Sequence, residues 1–251
     1  PPRSTPKPSS AASDVYKRQK TSGVGVVAEK LARVMKKESL VITIQNGLGS
    51  AEQVIEHISA KNVIVGVADG FGASIIKAGH VHHKAMNLIR LGQSKDLDIE
   101  KVKKVAKIWS NCGFTTKVFR DINRLIWEKF ICNVTFSGPC TAFRCDLGTL
   151  MSEPNYWEIG LGCMKEAYEI GKKKEIYFSF KDPIQYVLSF GKKMPEAKPS
   201  MLLDHEAQRQ SEIDAINGMV VRLGREMGIK TPFNQVITSL IISKEKKSGW
   251  R

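Results

Sequence analysis

The sequence predicts an α/β unit followed by an all-helical unit, and three observations carry that division. Up to about residue 120, short β-branched runs alternate with amphipathic stretches at helical spacing, the pattern of an open α/β sheet. From Asp121 onward the apolar runs all repeat at helical spacing. A chain of 251 residues, 42% hydrophobic and 25% charged, is long enough to bury one or two cores.

Taken in order, residues 1–19 stand apart. They are rich in Pro and Ser and lack periodicity, and the piece 14–19, D-V-Y-K-R-Q, resembles the translation of an adaptor used in sequencing libraries. They are expected to be a disordered scar, and their four basic side chains against one acid inflate the net charge of +14. Val24, Val27, Leu31 and Val34 then mark a helix, Leu40 to Ile44 a strand, and Gln45-Asn46-Gly47-Leu48-Gly49 a loop before a helix near Ser50. That is where open α/β sheets bind ligands, which makes Asn46 a candidate; a plain Asn-Gly turn accounts for it equally well. Short strands follow around Val63 to Val65, His80 to His83 and Leu88 to Leu91, then a helix at about 97–111 and a strand near 115–118. His80, His82 and His83 lack an accompanying carboxylate motif and are expected to be solvated strand histidines, with no metal bound.

Beyond Asp121, helices are expected over 121–136, 148–172, around Tyr186, from Ser200 in one long run to about Met227, and over 234–244; Gly228 and Pro232 punctuate the end of the long one. The basic clusters at 101–107, 172–174, 192–193 and 244–247 sit at element edges with no interleaved aromatic set. A solvated basic surface therefore explains them better than a nucleic-acid site, and a basic pocket for an anionic cofactor is compatible with them. The five cysteines show no C-x-x-C spacing, which fits free thiols in a reducing cytoplasm rather than disulfides or zinc. No membrane span or signal peptide is expected.

The chemistry is expected on W-E-K-F-I-C-N, residues 127–133. Lys129 and Asn133 lie four apart on one helical face, while Trp127, Phe130, Ile131, Cys132 and Val134 fill the rest of the circumference. An ammonium and a carboxamide buried without partners would cost several kcal/mol. The pair should therefore face a polar pocket.

In this order, Q-N-G-L-G at 45–49, the glycine tract from Gly70 to Val81, W-E-K-F-I-C-N, and P-S-M-L-L-D with S-E-I-D-A-I-N-G between 199 and 218 resemble the ketopantoate reductase family. The resemblance spans nearly everything from Lys20 to about Leu240. It implies a Rossmann-like NADPH-binding domain, here partial, over 20–120. A 6-phosphogluconate-dehydrogenase-like helical domain follows over 121–251, and a small 2-oxo acid is reduced between them in pantothenate biosynthesis. Lys129 would be the proton donor; an ordinary lysine, with a pKa of about 10.4, is protonated at neutral pH. Asn133, Ser137 and Ser200 would meet the substrate, and Asn46 both substrate and cofactor. Glu212 would face the reacting groups and cofactor from three turns down the helix that starts at Ser200, where a simple N-cap role for Ser200 is the alternative. Lys20 and Ala73 would contact the cofactor, and a homodimer is compatible with the family.

Three departures matter. Ser137 stands where many members have an asparagine, and Ala197 where some have another, so a different branched 2-oxo acid is an alternative substrate. The G-x-G-x-x-G turn that holds a pyrophosphate is missing. The chain is therefore expected to be a truncated reductase that binds NADPH weakly or not at all and is itself inactive. A basic nucleic-acid-binding module is the rival from another class.

Overall fold

In the computed structural model, residues 23–70, 72–85, 88–94 and 96–251 are described; segment 1–19 and Lys20 lie outside them. Two compact units result. One takes in the described residues up to Gln45 together with Gly49–Ile122, the other Asn46–Leu48 with Asn123–Arg251.

The first unit runs α1 (Val24–Ala32), β1 (Val41–Thr43), α2 (Ser50–Ile55), a 3-10 turn (Ala60–Asn62), β2 (Val63–Asp69), β3 (Gly72–Lys77), β4 (His80–Ala85), β5 (Leu88–Gln93), α3 (Ile99–Asn111) and β6 (Thr116–Phe119). Its main sheet has the order β1-β2-β5-β6; the outer pairings are parallel and the central β2–β5 pairing is antiparallel. Alternation along β2 sends Val63 to one face and Ile64 to the other. Val63 packs with Val24, Ala28, Val54 and Ile58 of the α1/α2 side, and Ile64 with Ile89, Leu91, Val102 and Ala106 of the α3 side. Helices on both faces of a largely parallel sheet make this an α/β unit. Val34 falls beyond α1 and is exposed, so the apolar stripe expected of it ends at Leu31. β3 and β4 form a separate antiparallel hairpin, with His80 and His82 exposed. Among the described residues no three His, Cys, Asp or Glu side chains gather into a metal-binding group, and no helix is long and apolar enough to cross a membrane.

The second unit is helical: α4 (Asn123–Phe143), α5 (Leu147–Ser152), α6 (Pro154–Lys173), α7 (Pro183–Lys192), α8 (Ser200–Glu206), a 3-10 turn (Ile213–Ala215), α9 (Asn217–Met227) and α10 (Pro232–Lys247). One continuous core joins them, running from Phe130, Ile131 and Phe136 of α4 through Met164 and Ile170 of α6 to Ile237 and Ile241 of α10. Three expectations need correction. α4 runs seven residues past 136, straight through Pro139. The carbonyl that Pro139 cannot bond, that of Thr135, faces Gly160 of α6, where even a methyl group would stand 3.2 Å away. The run 148–172 is two helices, because Pro154 starts a new one after Glu153. The long helix from Ser200 to Met227 does not exist. α8 stops after seven residues, Gln208 turns left-handed (φ 54°), and the Arg209 N–H bonds back to the Asp204 carbonyl at 2.8 Å.

Candidate active site

α4 is the spine of the site. Between residues 125 and 141 every residue is buried except Ile126, Lys129 and Asn133, which share one face. The helix thus opens along a single stripe, and that stripe carries Lys129 and Asn133. Ser137 continues the line one turn further but is buried, at 4% exposure. The neighbours of Lys129 explain the asymmetry. Trp127 and Phe130 meet edge to face at 5.4 Å inside the core, and Glu128 accepts the Ser179 N–H at 2.7 Å with the Arg124 guanidinium 4.0 Å away. Glu128 is therefore a buried backbone acceptor, which its place in the motif gave no reason to expect.

α8 packs against α4 and begins at Ser200, which is exposed. Pro199 is the N-cap and no side chain caps this helix, so the N-cap alternative for Ser200 is overturned: its hydroxyl stands in the first helical turn. Glu212 is also displaced from its expected setting. It is not on a helix with Ser200 but immediately precedes the 3-10 turn, half-buried, with its carbonyl accepting the Ala215 N–H at 3.0 Å.

Asn46 reaches this unit through its loop. The Leu48 N–H bonds to the Ala215 carbonyl at 3.2 Å, and Gly47, at φ 83°, lies so close that a Cβ there would collide with the same carbonyl oxygen. Asn46-Gly47 is therefore more than a turn: it is the glycine-dependent docking of a loop onto the segment that follows Glu212. Lys129, Asn133 and Ser137 are thus aligned on α4 with α8 against it, and Asn46 is joined to the Glu212 turn. Ala73 lies on β3 in the other unit, with its side chain outside the described residues, as is Lys20.

Two buried carboxylates brace this arrangement, and neither had a local signal. Glu245, fully buried in α10, accepts from the Ser211 N–H (2.8 Å), the Ser211 hydroxyl (2.5 Å) and Arg251 Nε (3.0 Å), and lies 3.0 Å from His205 Nε2. Arg251 also pairs with Asp214 at 2.8 Å. Glu245 and its partners thus fix the residues on either side of Glu212. At the other end of α10, Glu166 accepts the Phe233 and Asn234 N–H groups at 2.8 and 3.0 Å, capping that helix from α6. Asn234 in turn accepts from Asn217, which donates also to the Val134 carbonyl of α4 at 3.0 Å. Gly138 leaves room for this: a Cβ there would strike Asn217 Oδ1.

Family models match both units: "Ketopantoate reductase PanE/ApbA" over residues 19–96 and "Ketopantoate reductase PanE/ApbA C terminal" over residues 121–245. The chain belongs to the ketopantoate reductase family. It is 28% identical over 223 residues to the 2-dehydropantoate 2-reductase of Aquifex aeolicus, covering 86% of this chain and 71% of that protein. The structure of 2-dehydropantoate 2-reductase from Geobacter metallireducens superposes with a TM-score of 0.81 at 26% identity, covering 90% of this chain and 75% of that one. D-mandelate dehydrogenase in complex with NADH and anilino(oxo)acetate shares the fold, with a TM-score of 0.83 at 22% identity over 92% of this chain and 75% of that one.

A nicotinamide dinucleotide fits the described residues only in part. Loop 45–49 leads into α2, which has six residues, and the Gln45 side chain is turned back onto the Ile44 N–H at 3.1 Å. Residues 23–28 spell G-x-G-x-x-A, a variant of the pyrophosphate fingerprint that the sequence reading passed over. There, however, the Gly25 N–H donates to Gln53 Oε1 at 3.3 Å, so that donor serves helix packing.

Proposed function

We propose that this chain carries the substrate-binding and proton-donating part of an NADPH-dependent 2-oxo acid reductase, with ketopantoate as the first substrate to test. The observation that supports it most is the stripe on α4: a lysine and an asparagine on the half-buried face of its otherwise buried stretch 125–141, in a member of the ketopantoate reductase family. Lys129 gives its proton to the substrate oxygen as that oxygen gains negative charge, and its ammonium stabilises the same charge. Asn133 and Ser137 hydrogen-bond the substrate along the stripe, and the Ser200 hydroxyl meets its carboxylate. Asn46 and Glu212 orient the reacting centre from the docked loop and the 3-10 turn. The nicotinamide, when bound, supplies the hydride. Its affinity for this chain is weak, a reading supported by the Gly25 N–H of the 23–28 glycine segment being already bonded to Gln53 Oε1; Lys20 and Ala73 contribute the remaining cofactor contacts. A different branched 2-oxo acid is the second reading, favoured by Ser137 and Ala197.

Calorimetric titration with ketopantoate tests the substrate half directly: binding is expected, and Asn133→Ala should abolish it. Turnover is measured as NADPH oxidation in the presence of ketopantoate. There Lys129→Ala should lower kcat by about 10²- to 10⁴-fold, the range for loss of a positioned acid. A variant that keeps its rate overturns the role of Lys129. Micromolar NADPH binding overturns the weak-cofactor reading.

A further inference from the structure

The end of α4 brings two thiols together. Arg144 is left-handed (φ 57°), and the Cys145 N–H bonds back to the Cys140 carbonyl at 3.1 Å. This is the six-to-one bond of a Schellman turn, in which the side chain of the third residue before the cap meets that of the second residue beyond it. In most such turns the meeting is apolar; here it is Cys140 against Cys145. Cys140 is fully buried and its thiol donates to the Asp146 carbonyl at 3.6 Å, whereas Cys145 is half-exposed. The neighbouring Cys145 thiol, with burial, pushes the Cys140 thiol up, and the Cys140 thiol brings Cys145 below its ordinary range. One thiol is thus reachable, and the turn sets the other, protonated, beside it.

We propose that Cys140 and Cys145 are a reversible oxidation site that closes to a disulfide under a hydroperoxide. The Cys145 thiolate attacks a peroxide oxygen, the O–O bond breaks, and the departing hydroxide takes up a proton as water, leaving a sulfenic acid on Cys145. The Cys140 sulfur then gives up its proton and attacks the Cys145 sulfur; the S–O bond breaks, a second water leaves and the S–S bond forms. Two thiols lose two electrons, and one hydrogen peroxide is reduced to two waters. The next residues make this site consequential. Leu147 and Gly148 donate their N–H groups to the Ala197 and Pro195 carbonyls at 3.1 and 2.7 Å, docking the segment that leads to Ser200. A Cβ on Gly148 would stand only 3.1 Å from Pro195, so this contact has little slack to absorb a shift of Cys145. The site itself does not depend on the reductase reading.

The test is peptide mapping of the intact chain. After treatment with stoichiometric hydrogen peroxide, alkylation and tryptic digestion without reduction, cleavage after Arg144 separates the two cysteines. The expected result is a linked pair of peptides, with the bond placed between Cys140 and Cys145 by fragmentation and released by dithiothreitol. In Cys140→Ser, Cys145 should stop at the sulfenic acid and react with dimedone; in Cys145→Ser, Cys140 should stay reduced. Cys145 carried on to sulfinic acid while Cys140 alkylates freely would overturn the proposal. So would two untouched thiols at a peroxide level that oxidises the exposed Cys112.

Discussion

The two ends of α10 each rest on a buried glutamate, and the two glutamates behave oppositely. Burial pushes the Glu166 carboxyl above the usual range, and the N–H groups of Asn234 and Phe233 with the Asn234 amide only partly offset it. Burial also pushes on Glu245, but there the Ser211 hydroxyl and N–H, His205 and the Arg251 guanidinium outweigh it and hold the carboxyl below the usual range. Both side chains are buried, with less than a tenth of their surface exposed. The decisive difference is the set of donors: the Ser211 hydroxyl and N–H act most strongly on Glu245, with His205 and the Arg251 guanidinium adding to them, whereas Glu166 has only neutral amides. The end with the cation is also the end that holds the Glu212 segment. The end without it ties α6, α9 and α10 to the middle of α4.

Removing the better-satisfied carboxylate should therefore cost most. Glu245→Ala leaves Ser211, His205 and Arg251 facing an empty acceptor position, and breaking such a network costs about 3 kcal/mol. Urea unfolding of the variant measures this directly. A loss below about 1 kcal/mol would mean that the network forms without holding the fold.

The pH dependence sharpens the contrast. The lowered pKa of Glu245 contributes stability that is present above its unfolded value and is lost as pH falls through the lower folded value. Glu166, with a raised pKa, does the reverse: the folded state binds its proton more readily, so its contribution grows as pH falls through the raised value and levels off below the unfolded one. In unfolding free energies measured from neutral to acid pH, Glu245→Gln should remove part of the acid-side loss, and Glu166→Gln should steepen the net loss by removing an opposing gain. At neutral pH Glu166→Gln should cost about 1 kcal/mol, because an amide oxygen still accepts from the helix end. Matching slopes for the two variants would contradict the asymmetry.

What the sequence disclosed follows from range. Local signals were legible: Gly228 ends a helix as expected. The division into an α/β half and a helical half was legible because periodicity is local too. Lys129 and Asn133 stood out for the same reason, four residues apart on one face. Glu166 and Glu245 did not, because their backbone partners lie 67, 68 and 34 residues away and nothing near them in sequence distinguishes them from surface charges. The resemblance located Glu212, but not the break in the chain that sets its environment.

That break gives the smallest and most local prediction. α3, α9 and α10 turn left-handed at glycine, Gly113, Gly228 and Gly249, and there the sequence marks the stop. α4, α6 and α8 make the same turn on Arg144, Glu175 and Gln208, residues that favour continuing a helix. An L-residue held left-handed costs roughly 1–2 kcal/mol, part of which glycine returns through its freer unfolded state. Gln208 is exposed, so its side chain has little packing to lose. Gln208→Gly should then stabilise the helical unit by roughly 0.5 kcal/mol, visible as a slightly higher unfolding midpoint. A destabilised variant would mean that the Glu245 network, not the left-handed residue, ends α8. The comparison between the two ends of α10 would then extend to the helix break itself.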